Sequence, residues 1–206
     1  MDKGYWEKYY ATHRAPDQPS LFAQFILSDY LSREGCRLLE LGCGNGRDSL
    51  FFARNGMSVL AVDQAESEIA FLEKENSCDN LKFQSKDFTA LDIDELFSCI
   101  YSRFTLHSIR EEEEQNVLRW CYDHVSPEGL FFIEARSVND PKLAAGERIS
   151  ENENIFDGHY RRYFNLEAFK QRLKATGFSI LYAEEKTGFA PFGDEDPPVV
   201  RVVAQR

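Results

Sequence analysis

Four groups of residues in this chain have the types and spacing to do chemistry. The first is the run LLELGCGNGRDS at residues 38–49, where Glu40 is followed by Gly42, Cys43, Gly44, Asn45 and Gly46, and then by Arg47. Bare α-carbons at every second position let a ligand approach the backbone closely and meet the start of a helix. A dinucleotide, a phosphate and a methyl-donor nucleoside all qualify at this level. The second group is YSRFTLHSI, with Arg103 and His107, a cation and an imidazole whose ordinary pKa suits general-base work. The third is FFIEARS, where Arg136 can grip an acidic group in a fork of hydrogen bonds and Glu134 can pair with it. The fourth is DGHYRRYF, which concentrates His159, Tyr160, Arg161, Arg162 and Tyr163. Such a segment can clamp a phosphate or a sugar, but five consecutive side chains cannot all face one site. One arginine and either His159 or Tyr160 are expected to do so.

Arg47 narrows the glycine loop. The dinucleotide fingerprint G-x-G-x-x-G requires glycine where this chain has Arg47, which counts against an NAD-dependent oxidoreductase, and the G-K-[ST] of a phosphate loop is absent. What remains is E-x-G-x-G-x-G. The stretch ELGCGNGRDSLFFARNGMSVLAVD resembles the first motif of the class I S-adenosylmethionine (SAM)-dependent methyltransferases, and the likeness runs from about residue 37 to 136. The resemblance implies that residues 40–46 cradle SAM. It implies that Asp63, with Gln64 beside it, holds the ribose hydroxyls, a diol that a carboxylate can accept from twice. It also implies that Asp87 and Phe88 of QSKDF meet the adenine, and that Tyr101 lines the donor site at the end of a strand. In similar enzymes an aromatic N-terminal segment folds over the donor, which brings in Tyr10 and Arg14 of YWEKYYATHRAP. S-Adenosylhomocysteine (SAH) would be the product.

These groups must be carried by regular elements. SLFAQFILSDYL reads as an amphipathic helix capped by Ser20, CRLLELG and SVLAVD as buried strands, and GRDSLFFARNG as a helix stopped at Gly56. AESEIAFLEKENS, REEEEQNVLRWCYDHV and NLEAFKQRLKATG read as further helices. LKFQ, FSCIYS, LFFIEAR, FSILYAEEK and PVVRVVAQ read as strands. Alternating strands and helices with two successive strands at the end predict an α/β, Rossmann-like methyltransferase fold. Its sheet would have seven strands, mostly parallel with an antiparallel C-terminal strand, and helices on both faces. Ligands then bind at the carboxyl ends of the strands, where all four groups fall. One domain over 1–206 is expected, with a helical lid at 1–35 and a substrate-side insert at 137–164.

Composition limits the acceptor. The 206 residues carry 24 basic against 35 acidic side chains, a net −11, which speaks against a nucleic-acid partner, as does the absence of the N/D-P-P-Y signature of amino-methylating enzymes at the fourth strand. Five scattered cysteines without C-x-x-C, and no apolar leader or span, point to a cytoplasmic protein with no metal and no membrane contact. A monomer or homodimer is expected. The segments YSRFTLHSI, FIEARSVNDP and GHYRRYF are similar to small bacterial methyltransferases, some tied to surface-polysaccharide synthesis, with a likeness to tellurite-resistance enzymes. The resulting expectation is O-methylation of a sugar, sugar phosphate or polysaccharide precursor. In that reading Arg103 and His107 are catalytic, and Arg136, His159, Tyr160, Arg161 and Arg162 bind the acceptor. The alternatives are a thiol or metalloid-oxyanion acceptor, or a silent SAM-binding subunit.

Overall fold

The computed structural model describes residues 3–12, 18–31 and 35–206. From the N-terminus these form α1 (Lys3–Thr12), α2 (Leu21–Asp29), β1 (Arg37–Leu41), α3 (Arg47–Arg54), β2 (Ser58–Asp63), α4 (Glu66–Glu75), β3 (Leu81–Ser85) and β4 (Phe97–Arg103). After a single 3-10 turn at Leu106–Ser108 come α5 (Glu111–His124), β5 (Val125–Arg136), α6 (Lys142–Ala145), β6 (Glu147–Arg148), β7 (Glu153–Phe156) and β8 (His159–Arg162). The chain ends with α7 (Leu166–Thr176), β9 (Ser179–Lys186) and β10 (Val199–Gln205).

Seven strands make the main sheet in the order β3-β2-β1-β4-β5-β10-β9. The first five are parallel, and β10 runs antiparallel to both its neighbours, as the strand-helix alternation predicts. Strand side chains alternate between faces, and this splits the core in two. Leu39 and Leu41 of β1 pack with Val117, Leu118 and Cys121 of α5 and Phe169 and Leu173 of α7. Leu38 packs on the other face with Phe22 and Ile26 of α2, Phe52 of α3 and Leu72 of α4. Chain order reverses between β1 and β4, which opens a crevice at their carboxyl ends. Among the described residues no helix is long and apolar enough to cross a membrane.

The insert is more regular than its sequence suggested. It folds into a second sheet of order β6-β7-β8, closed by a two-residue hairpin at Asp157 (φ 52°) and Gly158 (φ 72°). Positive φ at both central residues is what Asp-Gly favours in such turns. That dipeptide was the available signal for a hairpin.

Candidate active site

A cleft of about 1140 Å³ lies over the carboxyl ends of β1, β2, β4 and β5, and α1 and the 189–197 loop complete its walls. One end is built by the glycine loop. Gly42, Gly44 and Gly46 have φ of 67°, 53° and 71°, a region that residues with a Cβ enter only at a cost. Each bare α-carbon also faces a protein side chain. A Cβ on Gly42 would stand 2.6 Å from Thr105 Cγ2, one on Gly44 2.6 Å from the Tyr10 hydroxyl, and one on Gly46 3.0 Å from the Phe83 ring. Gly42 and Gly44 line the cleft, with Glu40, Cys43 and Asn45. Gly46 lies outside it and lets α3 approach Phe83 and Leu72.

Beside the loop, Asp63 is buried and its carboxylate accepts from Gly44 N at 2.9 Å and Ala65 N at 3.0 Å. Burial raises its pKa, and these backbone donors oppose that. Neighbouring Gln64 has a buried Nε2 with no hydrogen-bond partner, and Phe88 forms an apolar wall. Glu40 is pushed up to about 8, first by burial and then by the charge of Asp48, against a 2.5 Å hydrogen bond from Ser49 Oγ. Asp48 holds the floor together. Its carboxylate accepts from Ser20 N at 2.8 Å, Ser20 Oγ at 2.7 Å and the Tyr101 hydroxyl at 2.8 Å, which joins the starts of α2 and α3 to β4.

The other end is cationic. Glu134, buried on β5, bridges Arg103 Nε at 2.9 Å and Arg201 Nε of β10 at 2.5 Å. Burial disfavours the Arg103 charge, but the Glu134 carboxylate together with Tyr101 and Asp48 outweighs it, so its pKa rises. Arg136 pairs with Asp140 at 2.5 Å, and Lys142 with Glu195 at 2.6 Å. Phe104, at φ 52°, places its ring 4.6 Å from the Arg103 guanidinium and 5.6 Å from that of Arg136. Arg161 reaches the cleft from β8, makes no ion pair with a described residue, and has a buried Nε with no partner. His107 is buried at the same end with an unpartnered Nδ1. Its pKa lies well below the usual range, from burial first and then from Arg161, Arg136, His159 and Arg162.

The cleft therefore joins a glycine cradle with a carboxylate and an unpartnered amide to a cationic chamber. A family model described as a methyltransferase domain matches residues 10–183. This chain belongs to the methyltransferase domain family. Among its curated relatives is TehB of Haemophilus influenzae (strain 10810), by name an S-adenosyl-L-methionine-dependent methyltransferase. The two are 27% identical over 135 residues, which is 64% of this chain and 47% of TehB. A SAM-dependent methyltransferase of Methanosarcina mazei superposes with a TM-score of 0.76 at 18% identity, covering 88% of this chain and 96% of its own. The Burkholderia thailandensis 1,6-didemethyltoxoflavin-N1-methyltransferase, solved with its substrate and SAH, gives 0.69 at 21% identity, covering 89% and 76%. The chain spans about half the length of the curated relatives it matches.

The fold places the expected residues unevenly. Glu40, Gly42, Cys43, Gly44, Asn45, Asp63, Gln64, Phe88 and Tyr10 line the cleft, as do Arg103, His107, Arg136 and Arg161. The others that are described lie outside its lining. Gly46 serves helix packing. Tyr101 lies in the core beneath the cleft, fully buried, because its strand position points it at Phe22 and Phe52. Asp87 is exposed, and its Oδ1 is taken by Thr89 N at 2.9 Å and Thr89 Oγ1 at 2.7 Å. The strand period divides the HYRR run. Arg161 faces the cleft and His159 lies on that side, buried against Ser108 and stacked on Tyr5 at 4.5 Å. Tyr160 and Arg162 face α5 instead. Tyr160 bonds Glu153 and lies under Arg110. Arg162 is buried in an ion pair with Glu114, which also takes Arg172 Nε at 2.6 Å. Arg14 falls outside the described residues. Arg201 and Lys142 escaped the sequence reading because neither sits in a motif, and Asp48 and Thr105 were passed over inside the glycine-loop and YSRFTLHSI runs.

Proposed function

We propose that this methyltransferase moves the methyl group of SAM to an oxygen of a small anionic acceptor of the sugar-phosphate type. SAM bound at the glycine cradle supplies a methyl group activated on a sulfonium. The chain's own residues fit it there: Asp63 is a ready acceptor for a diol, Gln64 Nε2 lacks a partner, Phe88 offers an apolar face, and Tyr10 closes over Gly44. The observation that carries the acceptor class is Arg161. It is a cation in the cleft with no carboxylate partner among the described residues, whereas Arg103, Arg136 and Lys142 each have one. The aromatic rings of Phe104 and Phe189 line the cleft and suit the apolar face of a sugar ring.

A second reading keeps the donor and replaces the sugar with a metalloid oxyanion or a thiol. The similarity to TehB favours it, as does the depressed basicity of His107. Glucose 1-phosphate serves as the test acceptor. Arg161→Gln is expected to raise its KM about tenfold or more, the cost of one charge-assisted hydrogen bond, while calorimetric SAH affinity stays within twofold. Equal small effects on both would remove the anion site.

A further inference from the structure

The cationic chamber also bears on which atom of the acceptor reacts. We infer that the methylated atom is an oxygen of the anionic group itself, already charged at neutral pH, and that no side chain of this protein removes a proton in the step. This rests on the anionic-acceptor reading above and goes further, since an anion can also be a handle far from the reacting hydroxyl.

The first support is the want of a base. A neutral hydroxyl acceptor would lose a proton as its oxygen bonds to carbon, and a general base would have to take it. Among the described residues, His107 is the imidazole on the cleft wall. The charged and titratable groups around it are Arg161 and Arg162 from β8, His159 from the same strand, and Arg136 from β5. A proton on His107 would add positive charge to a buried spot already ringed by arginines. The carboxylates of this end are paired or solvent-exposed. Glu134 is bonded by two arginines, Asp140 by Arg136 and Glu195 by Lys142, while Asp157 and Asp194 line the cleft in contact with solvent rather than buried in the chamber.

The second support is placement. Arg103 closes β4, whose neighbour β1 ends in the glycine loop, with Leu41 in register with Ser102. Thr105 Oγ1 donates to Leu41 O at 2.8 Å, and its methyl packs on Gly42. Arg103 of the cationic end therefore lies beside the donor cradle, and Arg161 lines the same cleft. The electron balance is simple. A lone pair of the oxyanion forms the C–O bond, the C–S bond breaks with its pair going to sulfur, the negative charge of the oxygen and the positive charge of the sulfonium cancel, and no proton moves. Phosphate monoesters and carboxylates share this chemistry.

The test is binding, which needs no turnover. Inorganic phosphate and acetate are titrated calorimetrically into the full chain loaded with SAH, whose sulfur is neutral, or with sinefungin, which carries a cationic amine in place of the methyl sulfonium. An oxyanion in line with the methyl binds at least tenfold tighter to the sinefungin complex, and Arg161→Gln removes most of that binding. The gain with phosphate identifies a phosphate acceptor, and with acetate a carboxylate. Equal affinity in the two complexes, or no binding of either anion, would overturn the inference, because the anion would then lie away from the methyl. Failure of the chain to bind SAH or sinefungin at all would instead strike the methyltransferase reading on which it rests.

Discussion

Glu40 shows how burial sets the state of a single residue. The usual reading of E-x-G-x-G gives an anion, yet burial and Asp48 push this carboxyl from 4.5 to about 8. The sign follows from linkage. Below about pH 4.5 both folded and unfolded chains hold the proton and the contribution to stability is complete. Between 4.5 and about 8 the unfolded chain releases it while the folded chain retains it, so stability falls as pH rises. Glu40→Gln, which can still accept from Ser49, is expected to flatten this dependence. Thermal unfolding at pH 5 and pH 9 checks it, and an identical fall in both proteins would refute the assignment. Gly44 teaches the complementary point. Its need for positive φ was readable in the motif, but its second constraint, the Tyr10 hydroxyl overhead, comes from a helix more than thirty residues away.

Elements decide which of several adjacent residues serve the site. His159, Tyr160, Arg161 and Arg162 looked equivalent as a string. Once they form β8, the period of two sends Arg161 to the cleft and Arg162 to Glu114. The same device recurs across the main sheet, where Glu134 bridges Arg103 and Arg201. Each bridge is a buried carboxylate between two guanidinium groups, and removing the carboxylate leaves cations uncompensated. Glu114→Ala is expected to cost about 3–5 kcal/mol, read from urea unfolding, without touching a cleft residue. A loss below about 1 kcal/mol would show that Arg162 is not held as a buried ion. The hairpin that creates β8 was not read from the sequence, although Asp157-Gly158 carried its signal, whereas the amphipathic helices and buried strands were legible from periodicity. The pairing partner of Arg162 was not, because forty-eight residues separate it from Glu114.

At the scale of the molecule, a chain of net charge −11 keeps a cationic chamber, because the main sheet brings arginines from β4 and β5 to the cleft and the small second sheet adds Arg161 from β8. Helix α1 spans both halves of the cleft. Glu7 accepts from Ser67 of α4 at the donor side, and Tyr5 and Trp6 pack on His159 at the acceptor side. Of the two tryptophans, Trp6 lines the cleft, while Trp120 stacks on His124 far along α5. SAH is therefore expected to change tryptophan emission, Trp6→Phe to abolish the change, and Trp120→Phe to preserve it. A signal that survives Trp6→Phe would detach α1 from the donor site.

The sequence by itself determined the fold class and marked the glycine loop, because both rest on local rules: periodicity places strands and helices, and repeated positive φ beside close neighbours favours glycine. Only the tertiary structure decided the acceptor chamber. Its members come from separate strands, helix α1 and a late loop, and whether an arginine is a ligand clamp or a buried ion depends on which carboxylate the fold brings within reach. Arg161 and Arg162 are neighbours in the chain, and it is the packing of β8 on α5 that gives one of them a partner and leaves the other facing the cleft.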